Sequence, residues 1–458
     1  MRKIRFHYII YLLPILIWTA CSKKIAVPGA GHGPTAGVRS VPAQAPLPKK
    51  LSPHDTYGQH LKDAGFVNTA MGSAWFRNGD ESINKALKVT MPYQEAGYFA
   101  AEKVQATALQ FDGRRGEEIH ISISKKPEID FKIYLDLFRQ TNNAPQPALI
   151  ASADTSGAKI DFEVDSTGVY ILRLQPELLS NGEYTLTITS GPSLSFPVSP
   201  SGKPHIGGFW ADPRDGGGRK HEGIDILAPR GTPAIAAANG TVTRVSENKL
   251  GGLSVYLRPD GKNYTLYYTH LDVQLAHNGQ KVVIGDTVGL VGNTGNAAGG
   301  PTHLHFGIYT DNGAVDPFPF VNIRSKEPKA ITAPAELLNT TARTIKECNL
   351  HASPDKKTAV IATLSLHTII NVDAATGDWY KVTLPDGQSG FLAGNMVAKP
   401  NNLHILTLKT PQPLFDAPDS TVAAHKTLLS KGKKVSVLGV YKNYSLVDNK
   451  GETGWINN

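Results

Sequence analysis

Cysteine is scarce in this sequence, which has two cysteines, Cys21 and Cys348, among 458 residues. If Cys21 is modified, Cys348 has no partner, so we expect no intramolecular disulfide and interpret Cys348 as a small buried hydrophobe. Long amphipathic runs are also few, whereas 44 Gly and 31 Pro residues are present, and this combination favours β-structure. A charged content of 19% beside a hydrophobic content of 40% is typical of a folded chain and excludes a disordered one.

One long apolar run, IIYLLPILIWTA, stands near the N-terminus directly after a basic segment. It is too short to span a bilayer, and its layout is that of a secretory signal peptide. The small residues Thr19 and Ala20 before Cys21 resemble the lipobox of bacterial lipoproteins, although Trp18 stands where that motif usually has Leu. We therefore expect lipidation at Cys21; the alternative is an ordinary cleaved signal with an unmodified cysteine.

The region that follows predicts two short helices and then a set of strands. Ser52 is a good N-cap, Pro53 fits the first helical position and Gly65 can end the helix, while a second helix is predicted over residues 80–88. From about residue 95 to 195, alternating segments such as EIHISIS, GVYILRL and GEYTLTI are separated by turn residues. This pattern predicts an antiparallel β-sandwich, which we interpret as a spacer or binding domain.

The C-terminal part contains a repeat. LHASPD at 350–355 recurs as LFDAPD at 414–419, and the same shift of 64 residues carries Tyr380 onto Tyr444 and GQSGFL onto GETGWI. Two copies of a β-rich unit are therefore predicted. Each copy resembles a bacterial SH3-like barrel, a type that commonly binds cell-wall peptides but often serves only as a spacer.

Between these parts lies a Gly-rich region that contains HEGID at 221–225. HEGID opens like the zinc-protease helix motif H-E-x-x-H, but Asp225 replaces the second histidine, and Gly223 with its β-branched neighbours disfavours a helix. In an extended strand, positions i and i+4 lie about 13 Å apart, so one ion could be reached from both only through a bend. Since Gly223 permits that bend, we expect a loop histidine and a strand aspartate to converge.

Three more histidines follow, one in YYTHLD and two in HLH at 303–305. Alternation places His303 and His305 on one face of a strand with Cα atoms about 6.6 Å apart, so both can point at one site. Taken alone, an H-x-H pair is more often a polar strand face than a metal site. His205 and His277 are interpreted as surface histidines.

In order, spacing and flanking glycines, these segments together resemble the M23 peptidase family, the LytM/lysostaphin-type zinc endopeptidases. The H-x-x-x-D motif of that family matches His221 and Asp225, its Y-x-H element matches Tyr268 to His270, and its Gly-rich approach to H-x-H-F matches GNTGNAAGGPTHLHF. The resemblance implies one Zn²⁺ per domain, with three metal ligands and two catalytic histidines: His221, Asp225 and His305, and then His270 and His303.

Two features near His221 differ from those of other zinc peptidases. Some M23 members have a tyrosine upstream of the first ligand to assist the oxyanion, and none stands between His205 and His221. Arg214 or the two catalytic histidines would have to serve instead. Glu222 lies beside a ligand but is not interpreted as the general base of an H-E-x-x-H enzyme.

The fold class expected is therefore mainly β and multidomain, with short N-terminal helices, since 458 residues exceed one ordinary core. The expected order is a lipoprotein-type signal peptide (1–21), a Pro/Ala/Gly-rich tether (22–51), a small helical region (52–94), a jelly-roll-like β-sandwich (95–197), an M23 peptidase domain (198–326) and two SH3-like domains (335–400 and 401–458).

The function expected from the resemblance is zinc-dependent hydrolysis of peptide cross-links in peptidoglycan. One alternative is a non-catalytic scaffold that binds the wall and activates other hydrolases; such relatives lack motif residues, whereas this chain retains all five. The chain could also be a wall-binding adaptor or an enzyme held latent. The expected partners are peptidoglycan stem peptides and, through Cys21, a membrane facing the periplasm or cell surface, but no nucleic acid. The net charge of +8 suits such polyanionic surroundings.

Overall fold

The computed structural model describes residues 51–141, 144–153, 159–322 and 326–458, except for the side chain of Asp215. The expected signal peptide, the tether up to Lys50 and the lipidation site Cys21 lie outside the described residues. The structure is mainly β, as the sequence predicts. No helix among the described residues has the length and apolar character needed to cross a membrane.

The N-terminal part contains two helices and nine strands. These are α1 (Pro53–Asp63), α2 (Ala70–Asn84), β1 (Leu87–Lys88), β2 (Tyr93–Phe99), β3 (Thr107–Gly113), β4 (Glu117–Lys126), β5 (Ile133–Arg139), β6 (Ala148–Ala153), β7 (Lys159–Glu163), β8 (Gly168–Pro176) and β9 (Gly182–Pro192). One sheet has the order β1-β3-β8-β5-β6, and a second sheet contains β2, β9, β4 and β7 side by side. Side chains of both sheets share one hydrophobic core, as expected for a sandwich.

Helix α1 forms as predicted. The Oγ of Ser52 accepts a hydrogen bond from the Asp55 amide at 3.1 Å, Pro53 occupies the first turn, and Gly65 follows the helix with a φ of 76°. The left-handed conformation at Gly65 costs a glycine little, so the chain can turn sharply there.

The prediction of the second helix over residues 80–88 was wrong. Helix α2 begins ten residues earlier, where Thr69 caps it by accepting from the Gly72 amide, and it ends before β1. Gly72 and Gly79 lower its intrinsic propensity, but a Cβ at either would collide with a neighbour, at 1.9 Å and 2.5 Å. Tertiary packing therefore fixes this helix, with buried Trp75 donating its Nε1–H to the Pro176 carbonyl.

The central part contains twelve strands and one short helix. These are β10 (His205–Gly208), β11 (Pro213–Arg214), β12 (Arg219–Lys220), β13 (Ile224–Leu227), β14 (Pro233–Ile235), β15 (Gly240–Asn248), β16 (Gly252–Pro259), β17 (Tyr264–Gln274), β18 (Lys281–Val282), β19 (Thr287–Val291), β20 (His303–Thr310), β21 (Gly313–Val315) and α3 (Phe318–Val321). Ten of these strands form one sheet, whose main path is β10-β13-β20-β17-β16-β15-β18. Strand β20 lies between β13 and β17, and all three are antiparallel to their neighbours.

The C-terminal part contains two strand-rich units, and the six strands of the second follow the order of the first six strands of the first. The first has β22 (Thr340–Thr344), β23 (Cys348–His351), β24 (Val360–Leu364), β25 (Ile369–Thr376), β26 (Trp379–Thr383), β27 (Ser389–Ala393) and β28 (Val397–Ala398), and the second has β29 (His404–Thr407), β30 (Gln412–Phe415), β31 (His425–Leu429), β32 (Lys434–Tyr441), β33 (Tyr444–Asn449) and β34 (Glu452–Asn457). The second unit forms its own six-stranded sheet. The first unit joins the sandwich, because β25 pairs with β2 and produces one sheet of eleven strands.

Candidate metal centre

Three side chains of the central sheet bring one donor atom each to a common point. The Nε2 of His221 lies 2.9 Å from the Nδ1 of His305 and 3.0 Å from the Oδ1 of Asp225, and that Oδ1 lies 3.1 Å from the same Nδ1. The three atoms therefore form a nearly equilateral triangle. We call His221, Asp225 and His305 the donor triangle.

Strand register explains why two members of the donor triangle meet. Asp225 on β13 is directly opposite His305 on β20, and opposed residues of an antiparallel pair project from the same face of the sheet. His221 precedes β13 in a loop, so the predicted convergence of a loop histidine with a strand aspartate agrees with the structure. Gly223 is required at the bend, because a Cβ there would lie 2.6 Å from the Phe306 carbonyl oxygen and 2.7 Å from the His305 ring.

Two further imidazoles stand beside the donor triangle. The ring of His270 lies 5.0 Å from the ring of His303 and 5.9 Å from that of His305, measured between centroids. The Nε2 of His303 lies 3.8 Å from the Oδ1 of Asp225. The structure thus brings together all five residues of the predicted site.

A β-bulge aims His270 at this point. The pairing of β16 with β17 shifts register between Leu253 and Val255, and His270 has a φ of 63°, which side chains other than glycine seldom adopt. The carbonyl of Gly251 accepts from the His270 amide at 2.9 Å and so holds this backbone in place. Because the bulge reverses the alternation, Tyr268 of the Y-x-H element lies buried in the core, while Tyr267 lines the cleft.

Backbone carbonyls set the orientation of three imidazoles. The Nδ1 atoms of His221, His270 and His303 lie 2.7, 2.8 and 2.9 Å from the carbonyl oxygens of Phe209, Thr294 and Pro301 respectively. A carbonyl only accepts hydrogen bonds, so each Nδ1 must carry the proton and each Nε2 of a neutral ring presents a lone pair. Sequence inspection missed these three partners.

The second oxygen of Asp225 is held by Arg214. The Nη2 of Arg214 donates to the Oδ2 of Asp225 at 2.5 Å, which leaves Oδ1 for the donor triangle. A Cβ on Gly208 would lie 2.6 Å from that Oδ2 and 3.1 Å from the guanidinium, so only glycine leaves room for the ion pair. The structure thus places Arg214 where it orients a donor carboxylate.

Burial and charge control the protonation of the cluster. Burial alone would raise the pKa of Asp225, but hydrogen bonds and charge interactions with His221 and His305 outweigh it and hold that pKa well below its usual range. Burial lowers the pKa of His305, and it lowers the pKa of His270 to about 4. At neutral pH, His270 is therefore uncharged and its Nε2 can accept a proton.

The donor triangle fits a zinc ion. Zinc takes imidazole nitrogen and carboxylate oxygen at about 2.0–2.2 Å in tetrahedral geometry, so its donor atoms lie about 3.3–3.6 Å apart. The observed separations of 2.9–3.1 Å need only a slight opening of the triangle. Two histidines and one carboxylate are also a donor set of catalytic zinc sites, which keep the fourth position open.

The cluster lies in an open cleft of about 240 Å³. Its walls include Tyr267, Tyr309 and the half-exposed Leu250. The hydroxyl of Tyr309 donates to the carboxylate of Glu222 at 3.4 Å, so Glu222 is engaged at the rim. Sequence inspection missed both tyrosines, which have no motif of their own.

The remaining sequence candidates lie elsewhere. His205 and His277 are exposed and outside the cleft, as predicted for surface histidines. Cys348 was predicted to be buried, but it is only partly buried at the edge of the core of the first C-terminal unit. Burial raises the pKa of its thiol.

Residues 219–317 match the sequence profile described as peptidase family M23, and residues 346–398 match the profile of the bacterial SH3 domain. The chain contains an M23 peptidase domain. It also contains a bacterial SH3 domain, in the first of the two C-terminal units. The M23 match implies a metal cofactor, typically zinc, and its residues include the whole donor triangle.

Three curated relatives resemble part of the chain. An uncharacterized metalloprotease of Haemophilus influenzae is 31% identical, covering 36% of this chain and 32% of its own. The peptidoglycan DD-endopeptidase ShyC of Vibrio cholerae is 40% identical over 19% of this chain and 20% of its own. The uncharacterized lipoprotein YgeR of Escherichia coli is 36% identical, and the match covers 25% of this chain and 43% of YgeR. The chain thus spans less than half the length of each relative.

Among solved structures, that of LytU is 37% identical in sequence with a TM-score of 0.24, and the match covers 25% of this chain and 82% of LytU. The name of ShyC describes a peptidoglycan endopeptidase, and that of YgeR describes a lipoprotein.

Proposed function

We propose that this protein is a zinc-dependent endopeptidase that hydrolyses peptide cross-links of peptidoglycan. The observation that carries the proposal is the convergence of the donor triangle beside two further imidazoles, His270 and His303, in one open cleft. Relatives named as peptidoglycan endopeptidases support the substrate class. The ligands in this proposal are His221, Asp225 and His305.

When bound, zinc would lower the pKa of a coordinated water and polarise the scissile carbonyl. His270 and His303 each present an Nε2 lone pair, so either can take the proton from the attacking water. The same imidazole, once protonated, can steady the developing oxyanion and pass the proton to the leaving amine. Because burial lowers the pKa of His270 to about 4, His270 holds a proton only weakly and transfers it readily.

Arg214 would act as a positioning residue in this mechanism. Its guanidinium fixes Oδ2 of Asp225 and therefore the direction in which Oδ1 faces the metal. Groups that orient a ligand in this way commonly change metal affinity or activity by about 10–100-fold when removed. Tyr267, Tyr309 and Leu250 would flank an extended peptide lying in the cleft.

The proposed location follows from the N-terminal sequence and from the relatives. The layout around Cys21 resembles a lipobox, and two of the curated relatives are named as lipoproteins. We infer an exported protein anchored by lipid at Cys21. Mass spectrometry of the protein purified from membranes would detect the added acyl mass, and an unmodified Cys21 would contradict this part of the proposal.

The test of activity uses the zinc-loaded full chain and purified peptidoglycan. Released muropeptides are identified by mass spectrometry for the native protein, for His305→Ala and for His277→Ala, which changes an exposed histidine outside the cleft. We expect cross-linked dimers to fall to monomers with the native protein and His277→Ala only. An unchanged profile with all three proteins, although the native protein binds zinc one to one, would contradict the proposal.

A further inference from the structure

A second cavity, of about 370 Å³, lies where α2, the sandwich and the first C-terminal unit meet. We call it the junction cavity; it shares no lining residue with the cleft. Its volume falls within the range of small-molecule sites. The residues that matter below are Lys85, Phe99, Lys103, Asp373, Lys381 and Thr383.

One ion pair beside the cavity, between Glu95 and Lys381, has all its charges satisfied within the protein. Glu95 is fully buried, and the ammonium of Lys381 donates to both of its oxygens, at 2.7 and 2.9 Å. The hydroxyls of Tyr93 and Tyr184 donate to the same carboxylate at 2.7 and 2.9 Å. Lys381 is therefore neutralised within the protein and leaves no charge for a ligand.

A second carboxylate, that of Asp373, lacks such a partner. Its Oδ2 accepts a hydrogen bond from the Thr383 hydroxyl at 2.6 Å, but among the described residues no cationic atom lies within ion-pair distance (4.0 Å) of it. Burial raises the pKa of Asp373, and the Thr383 hydrogen bond together with the charges of Lys381 and Lys103 offsets that rise only in part. A cationic group entering the cavity would supply the missing interaction.

Two other lysines that line the cavity, Lys85 and Lys103, are exposed. Lys85 is paired with Glu81 at 2.8 Å, whereas Lys103 donates to the neutral amide oxygen of Asn339 at 3.3 Å and, among the described residues, attracts Asp373 only from beyond ion-pair distance. Lys103 can therefore accept a ligand anion, while Phe99 and other apolar side chains form part of the wall. Among the described residues, the cavity thus presents a carboxylate with no cation at ion-pair distance and an exposed ammonium whose one hydrogen-bond partner is neutral.

We propose that the junction cavity binds a short peptide with free ends, through Asp373 to its ammonium and Lys103 to its carboxylate. This site goes beyond the proposed hydrolysis and does not depend on it. A dipeptide carries both charges with little side-chain bulk, which suits a cavity of this size. A single amino acid has the same two groups, so the test includes both.

The experiment is isothermal titration of the full chain in the presence of a chelator, so that peptide cleavage cannot contribute heat. The titrants are D-alanyl-D-alanine, its N-acetylated form and D-alanine. We expect the free dipeptide to bind, and the N-acetylated form to bind about tenfold more weakly or worse, because it lacks the ammonium. D-alanine should bind more weakly than the dipeptide.

Protein variants locate the site. Asp373→Asn keeps an acceptor for Thr383 but removes the charge, and Lys103→Gln removes the cation; each should weaken dipeptide binding about tenfold. Asp378→Asn, an exposed change in the same unit, should leave binding unchanged. The proposal is overturned if the dipeptide gives no binding heat, or if acetylation does not weaken binding. The acetylated ligand needs no mutation, so this outcome is informative even if Asp373→Asn misfolds.

Discussion

The donor triangle and the Glu95–Lys381 pair both place ionisable groups away from water, but they differ in how the protein satisfies the carboxylate. Every oxygen of Glu95 meets a protein donor, two from tyrosines and two from one lysine. In the triangle, Oδ1 of Asp225 faces two imidazole nitrogens, and the atoms that converge are those that bind metals. A complete cluster contributes to the fold, whereas a converging set of donors is suited to hold a cation.

The largest effect should come from His305→Ala. Loss of one donor removes the metal and with it the activated water, so hydrolysis should fall by about 10⁴-fold or more. Zinc binding, measured by titration with a chromophoric chelator, should be lost in parallel. The fold should persist, since the strand pairing of β20 does not depend on this side chain. Full activity of this variant would contradict the role of the donor triangle as a metal site.

Lys381→Met should have the converse effect. It leaves Glu95 buried without its ammonium, which should lower the free energy of unfolding by about 3–5 kcal/mol. Lys85→Met is the matched control, because that lysine belongs to an exposed pair that solvent screens, so its loss should change the free energy of unfolding little. Denaturant unfolding measures both changes. An equal, small effect of the two substitutions would show that the buried pair is dispensable.

Zinc should stabilise only through the donor triangle. At a free concentration 100 times its Kd, a ligand that binds the folded state alone stabilises it by about 2.7 kcal/mol. Thermal unfolding with zinc and with chelator should therefore differ for the native protein but not for His305→Ala. Lys381→Met should retain the full zinc-dependent shift; its disappearance there would mean that the two clusters are coupled.

The smallest effect concerns the support of the triangle. Arg214→Gln should weaken zinc binding by about 10–100-fold, because Asp225 loses the partner of its Oδ2. Arg258→Gln, which changes an exposed arginine, is the control. Competition titration gives both affinities. If the arginine acts on the oxyanion instead, turnover would fall while zinc affinity stayed the same.

Much of the site could be predicted because the metal-binding and catalytic groups are side chains whose types can be seen in the sequence. Two histidines at positions i and i+2 of a strand predict that both side chains lie on one face of the sheet. The glycine inside HEGID predicts a bend there. The orientation of the imidazoles could not be predicted, since the acceptors at Phe209, Thr294 and Pro301 are backbone carbonyls that every residue possesses. The bulge at His270 could not be predicted either, and it is this bulge that places His270 in the cleft while Tyr268 lies in the core.

The repeat shows the same division between local and tertiary information. Strands β23 and β30 begin 64 residues apart, as the sequence indicates, and β25 and β32 begin 65 apart, within one residue of the same shift. The second glycines of the two G-x-x-G segments share one physical role, since a Cβ on Gly390 or Gly454 would collide with Leu350 or Leu414 of the same unit.

What the repeat does not predict is that only the first copy joins the sandwich. Lys381, which reaches Glu95, corresponds to Ser445 in the second copy, and a serine cannot form that ion pair. Propensity likewise failed for α2, where glycines that disfavour a helix are required by close packing. Both misses concern contacts between segments distant in the sequence.

The pairing of β2 with β25 bears on how this protein can be dissected. A chain cut after residue 326 would retain the sandwich but lose β25, so β2 would become a sheet margin with unsatisfied amide and carbonyl groups. Such a margin is a template for strand addition by other copies, and the orphaned Glu95 beside it would be a buried charge. The domain boundary near residue 326 is therefore a poor place to divide the molecule. We expect the N-terminal fragment produced by such a cut to self-associate.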